Sequence, residues 1–136
     1  MKRPILAFAV GLVVWVVVIL LLNRALRVFV PGYVAAEPTT SFTFGMLVAR
    51  LVIAALASLI AGAVAAWIAP ASPRLPVLLG TALLLAFIPI HVQVWWLFPF
   101  WYHLVFLGTL IPLVMLGAWL AQVRGVRGAT AGATRT

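Results

Sequence analysis

Four stretches of this chain are long enough to cross a bilayer as helices, and none contains an acid; the whole chain has one, Glu37, against nine lysines and arginines. A spanning helix needs about 20 mainly apolar residues, because the hydrocarbon core is ~30 Å thick and a helix rises ~1.5 Å per residue. Four segments meet that length, at about 4–22, 44–68, 75–98 and 100–123. Hydrophobic residues make up 67% of the sequence and charged ones 7%, where soluble domains carry roughly a quarter charged. The expected fold is therefore an all-α membrane protein, four transmembrane helices in an up-down bundle over residues 1–124, with a small polar tail, 125–136, expected to be disordered.

The segment ends carry the usual punctuation. Pro4 suits a first helical turn after Lys2 and Arg3, and the first helix can continue as a basic amphipathic turn through Arg24 and Arg27. Pro70 to Pro73 closes the second segment, Pro99 separates the third from the fourth, and Gly125 opens the tail. Lys2 and Arg3 before an apolar run, with Val34-Ala35-Ala36 downstream, also resemble a signal peptide. That run exceeds the 7–15 residues of a signal core, and Arg24 and Arg27 separate it from the site, so the segment is expected to remain as an anchor. Six cations, Lys2, Arg3, Arg74, Arg124, Arg127 and Arg135, fall on one side of a four-span topology and Arg24 and Arg27 on the other, which predicts both termini in the cytoplasm. The run Trp95 to Tyr102 holds three of the six tryptophans and marks the outer interface independently, since such rings settle at headgroup level. Trp67 and Trp119 then lie near the inner interface, and mid-segment Trp15 faces lipid or a neighbouring helix.

The same composition excludes chemistries. Paired-carboxylate hydrolysis and two-metal sites need at least two acids at one place, and the absence of cysteine removes thiol nucleophiles, disulfide relays and Cys-ligated metal. The cations form no basic stripe with interleaved aromatics, so nucleic acid is not expected as a partner. The lipid bilayer is, together with a second copy or a larger membrane complex. Ala54, Ser58, Gly62 and Ala66 recur every fourth residue, with Ala57, Ala61 and Ala65 on the adjacent strip, the small-residue faces by which helices approach in lipid. Pro89 and Pro112 sit inside the third and fourth segments, where each removes a backbone hydrogen bond and is expected to bend its helix.

Polar groups at membrane depth are the natural functional candidates, and nearly all belong to the outer half. Arg50 lies about six residues into the second segment, where its guanidinium can snorkel outward, pair with Glu37, or bind an anion or lipid headgroup. His91 and His103 lie six residues either side of Leu97, so an antiparallel hairpin brings them to one level. Facing each other they could ligate haem or a metal, with Gln93 and Tyr102 as supporting hydrogen-bond partners. Two histidines without a third ligand are a weak signature, and no cofactor is expected. Arg24, Arg27, Glu37, Arg50, His91, Gln93, Tyr102 and His103 thus gather toward the outward side, a pattern that fits an outward-facing pocket or interaction surface and not a continuous polar pathway.

The stretches from Ala36-Glu37-Pro38-Thr39 to Arg50, and from Phe98-Pro99-Phe100-Trp101-Tyr102-His103 through Pro112, resemble segments of small four-helix bacterial inner-membrane proteins that have no assigned activity. The resemblance implies location and architecture, and no catalytic residue. Small multidrug transporters share the helix count but depend on a Glu in the first helix, which has none here. Three functions stay open: a structural or accessory packing subunit, motivated by the small-residue face; a small-solute, anion or headgroup binder or channel at Arg50; and a haem or metal redox subunit at His91 and His103. No nucleophile, base and orienting group can be assembled at one site, so an enzyme is the least expected.

Overall fold

The computed structural model describes the backbone of residues 2–133 and the side chains of residues 2–125. In chain order it contains α1 (Lys2–Phe29), a single turn α2 (Tyr33–Ala36), α3 (Phe44–Ile68), α4 (Leu75–Gln93) and α5 (Phe100–Ala133), with no strand among the described residues. All but α2 are long and apolar enough to span a membrane. The chain is thus an all-α, four-span membrane protein.

Helix α3 keeps the bounds its apolar run predicts. Thr43 caps it, its hydroxyl accepting from the Met46 N–H at 3.3 Å, and Pro70 prevents continuation beyond Ala69. The other ends move. The basic turn through Arg24 and Arg27 is helical, extending α1 to Phe29. Gly32, at φ +77°, then takes the left-handed conformation open to glycine and redirects the chain into α2. Helix α4 stops at Gln93, five residues before the expected Phe98, and the aromatic run that follows is used as a connection. Helix α5 continues past Val123 to Ala133, so the backbone is helical through most of the segment expected to be disordered: Gly125 and Gly128 cost helix stability without ending it. Thr134 to Thr136 lie outside the described residues. Pro89 and Pro112 are both accommodated within continuous helices.

Contacts between helices fix the topology. Trp15 bonds to Ser58, and a side chain at Gly11 would meet Ala65, so position rises along α1 as it falls along α3 and the two are antiparallel. His91 meets His103, and Gly80 meets Ile111, which makes α4 and α5 antiparallel. Arg50 bonds to Tyr102 and Gly62 lies against Val114, so α3 and α5 run parallel. The four long helices close a ring in the order α1, α3, α5, α4.

The closest approach is between α3 and α5. A Cβ built at Gly62 would fall on the Val114 carbonyl, and one at Gly117 on the Leu59 carbonyl, so each glycine admits the other helix's backbone. Ala54, Ala57, Ser58, Ala61, Gly62, Ala65 and Ala66 are all buried inside the chain. The small-residue face expected for association is therefore consumed within one copy. In lipid this is how close packing is gained, since apolar burial offers no drive between helices.

Candidate functional site

The site rests on the α1–α3 connection. Tyr33 and Ala36 of α2 and Met46 of α3 form a small core of their own beneath this connection, packed by Leu26, Val30 and Phe42. The Tyr33 ring is fully buried with its hydroxyl directed at α3. Tyr102, on the first turn of α5, comes from the opposite side. Between them lies Arg50.

Arg50 donates from Nη1 to the Tyr33 hydroxyl at 2.9 Å and from Nε to the Tyr102 hydroxyl at 3.2 Å. Its guanidinium carbon sits 5.0 Å from the centre of the Phe42 ring and 5.8 Å from that of Phe98, within the reach of cation–π attraction. The side chain is thus fixed by two hydroxyls and two ring faces. The expected pairing with Glu37 is not adopted; the guanidinium reaches Tyr33, Phe42 and Phe98, all in the connections at this end of the helices. Glu37 instead accepts from Arg27 Nε at 2.9 Å in a solvent-accessible pair, because the helical continuation of α1 carries Arg27 to the α2 end. The chain's one carboxylate is taken, and Arg50 has no counter-ion among the described residues.

A guanidinium has five N–H donors, and two are used. Among the described residues no buried side-chain nitrogen or oxygen lacks a partner, so Nη2, which bonds to nothing, is accessible with its two N–H groups. Beside Arg50, between all four long helices, lies a cavity of about 220 Å³ that Tyr102, Asn23 and Trp15 also line. Asn23 donates its amide N–H to the Ile19 carbonyl at 3.0 Å and lines the same cavity. Of the two expected surroundings, lipid or a neighbour, Trp15 takes the second and is buried against α3 and α4. Its indole N–H donates to the Ser58 hydroxyl at 3.0 Å, which in turn donates to the Ala54 carbonyl at 2.8 Å.

His91 and His103 do meet. Their Nδ1 atoms are 2.8 Å apart, and His103 Nε2 is 3.2 Å from the Trp95 carbonyl. A carbonyl only accepts, so with neutral rings His103 carries its proton on Nε2, its Nδ1 accepts from His91 Nδ1–H, and His91 Nε2 is left with a lone pair. Two nitrogens on one tetrahedral metal at ~2.05 Å stand about 3.3 Å apart, wider than this hydrogen bond. The pair is bonded to itself, and no group of three potential metal-ligating side chains occurs among the described residues. The His103 ring stacks on Trp95 and the His91 ring on Tyr102, at interplanar angles of 15° in both cases. Tyr102 therefore links the histidines to Arg50.

Of the eight sequence candidates, four come together: Arg50, Tyr102, His91 and His103. Arg27 and Glu37 pair with each other, whereas Arg24 and Gln93 are exposed and enter no side-chain hydrogen bond among the described residues. Tyr102, expected to support the histidines by hydrogen bonding, stacks on one and bonds to Arg50; Gln93 has no such role, and the Trp95 carbonyl takes it. Sequence reasoning missed Tyr33, Phe42, Phe98, Trp15 and Asn23. The signal for Asn23 was present: it is a polar residue next to the end of the first apolar run. Comparison with protein-family models, with curated proteins and with solved structures finds no match to this chain.

Proposed function

We propose that this is a small multi-pass protein of a bacterial inner membrane, both termini cytoplasmic, that binds an anionic group, carboxylate or phosphate, at Arg50 in its outer half. The observation that carries the reading is a guanidinium without a counter-ion among the described residues, fixed by Tyr33 and Tyr102, with its Nη2 amino group unbonded and accessible beside a four-helix cavity. An isolated cation at membrane depth is costly, and a fork of N–H donors fits the two oxygens of a carboxylate or phosphate. The aromatic walls suit an amphiphile whose headgroup alone is charged. The packing-subunit reading loses its motive, because the face that suggested it is buried within the chain.

Trp15 lines the cavity and reports on it. Titration of purified protein with decyl phosphate or decanoate is expected to shift tryptophan emission in the wild type, and to lose the shift in Trp15→Phe. Arg50→Leu should weaken either probe by at least tenfold. Inorganic phosphate alone distinguishes a free anion from a headgroup: a response to it assigns a solute, and a response to the decyl probes only assigns an amphiphile. Equal titration of wild type and Arg50→Leu, or equal response to decyltrimethylammonium, refutes the proposal.

A further inference from the structure

A second feature lies at the opposite end of the bundle and is independent of Arg50. Helices α1 and α4 run parallel and touch where Leu79 fills the notch left by Gly11 and where the Trp15 and Phe87 rings meet at 4.9 Å. Toward their N-termini they part. The gap is an open groove of about 650 Å³, walled by Pro4, Phe8 and Leu78 and rimmed by Ser72 and Arg74 of the α3–α4 connection.

The charge around this groove is all of one sign. Arg74 lines it, Lys2 and Arg3 directly precede its Pro4, and all three are exposed; none forms an ion pair among the described residues, where the one salt bridge is Arg27–Glu37 at the far end. The Ser72 hydroxyl has no hydrogen-bond partner among the described residues and is free to donate to an acceptor beside Arg74. An apolar cleft between membrane helices, closed at its rim by unbalanced cations and a hydroxyl, has the complement of one kind of molecule. We propose that the α1–α4 groove binds an anionic phospholipid, one acyl chain lying between Phe8 and Leu78 and the phosphate resting on Arg74 and Ser72, with Lys2 and Arg3 adding to the attraction.

The physics predicts what such a site can discriminate. An acyl chain gains little by leaving other lipid tails for an apolar cleft, so the groove selects by headgroup charge and not by chain. Each Lys or Arg near an anionic headgroup contributes ~1 kcal/mol, about a fivefold change in retention.

The test uses the full chain, equilibrated with equal amounts of phosphatidylglycerol and phosphatidylcholine of identical acyl chains, with retained lipid counted by native mass spectrometry. The wild type is expected to retain phosphatidylglycerol preferentially, and Arg74→Gln to lower that retention about fivefold. Leu78→Trp obstructs the cleft while leaving every cation in place; Leu78 is 59% exposed, so the change does not disturb the core, and it should also lower retention. Arg24→Gln removes the same charge from the far end and should leave retention unchanged. Equal retention of the two lipids overturns the proposal, as does full retention by Leu78→Trp. Equal losses in Arg24→Gln and Arg74→Gln indicate bulk electrostatics and overturn it too.

Discussion

Replacing Gly62 by alanine adds one methyl group to the chain, and the structure determines the sign of its effect. In a helix with open space beside it, glycine to alanine is favourable by ~1 kcal/mol, through helix propensity. At Gly62 the added carbon collides with the Val114 carbonyl, a backbone atom that no rotamer change can withdraw. Overpacking costs typically ~1–3 kcal/mol, and with both sides rigid the upper end applies. The net expectation for Gly62→Ala is a loss of about 2 kcal/mol, roughly 30-fold in the folding equilibrium. Gly117→Ala meets the Leu59 carbonyl at the same crossing and should cost about as much. The two together should cost less than their sum, because one outward displacement of α5 relieves both collisions. Gly108→Ala is the control on the same helix: nothing lies within 4 Å of its added carbon, so it should stabilise by ~0.5–1 kcal/mol. Reversible unfolding in mixed sodium dodecyl sulfate and maltoside micelles, followed by tryptophan fluorescence, measures all four. A Gly62→Ala protein as stable as the wild type would refute the argument. So would an unchanged unfolding midpoint accompanied by loss of an oligomer, since that would put the small-residue face between copies.

Two further outcomes follow from single contacts. The Trp15–Ser58 bond joins α1 to α3 in the buried core, so Trp15→Phe and Ser58→Ala should each destabilise by ~0.6–1.7 kcal/mol, the range of interhelical bonds in membranes; a double-mutant cycle that returns no coupling would show that the bond adds nothing. The Arg27–Glu37 pair is accessible, with side chains 49% and 27% exposed, so Glu37→Gln should cost well under 1 kcal/mol and the cost should vanish in high salt; a salt-independent loss of several kcal/mol would contradict a screened surface pair.

The four spans were legible because apolar length is a property of the chain alone, and the bounds of α3 follow to the residue from Thr43 and Pro70. The level of His91 and His103 was legible too, since a hairpin about Leu97 needs only counting. The rotation of each helix about its axis was much less so. Helix α4 is apolar on nearly every side, so no stripe in its sequence says which face is inward, and the same holds for Trp15 in α1. The partners of Arg50 were hidden for a different reason. Tyr33 and Phe42 lie in the connection between α1 and α3, outside any periodic segment, and reach Arg50 only because Gly32 turns the chain and α2 packs against Met46. The Arg50–Glu37 pairing that charge arithmetic suggests fails because Arg27 rides a longer helix than the apolar run predicts and reaches the carboxylate instead.

The parallel pairing of α3 with α5 also bears on how the chain is assembled. Its tightest interface joins helices that are not consecutive, with the whole of α4 between them in sequence. A chain made from its N-terminus outward therefore completes α3 well before α5 exists. During that interval the Ala54, Ser58, Gly62 and Ala66 face is bare to lipid, able to accept any small-residue helix that comes near. Helix α5, made only after α4, is the one that closes it, so misassociation is a hazard of the interval before α5 is in place.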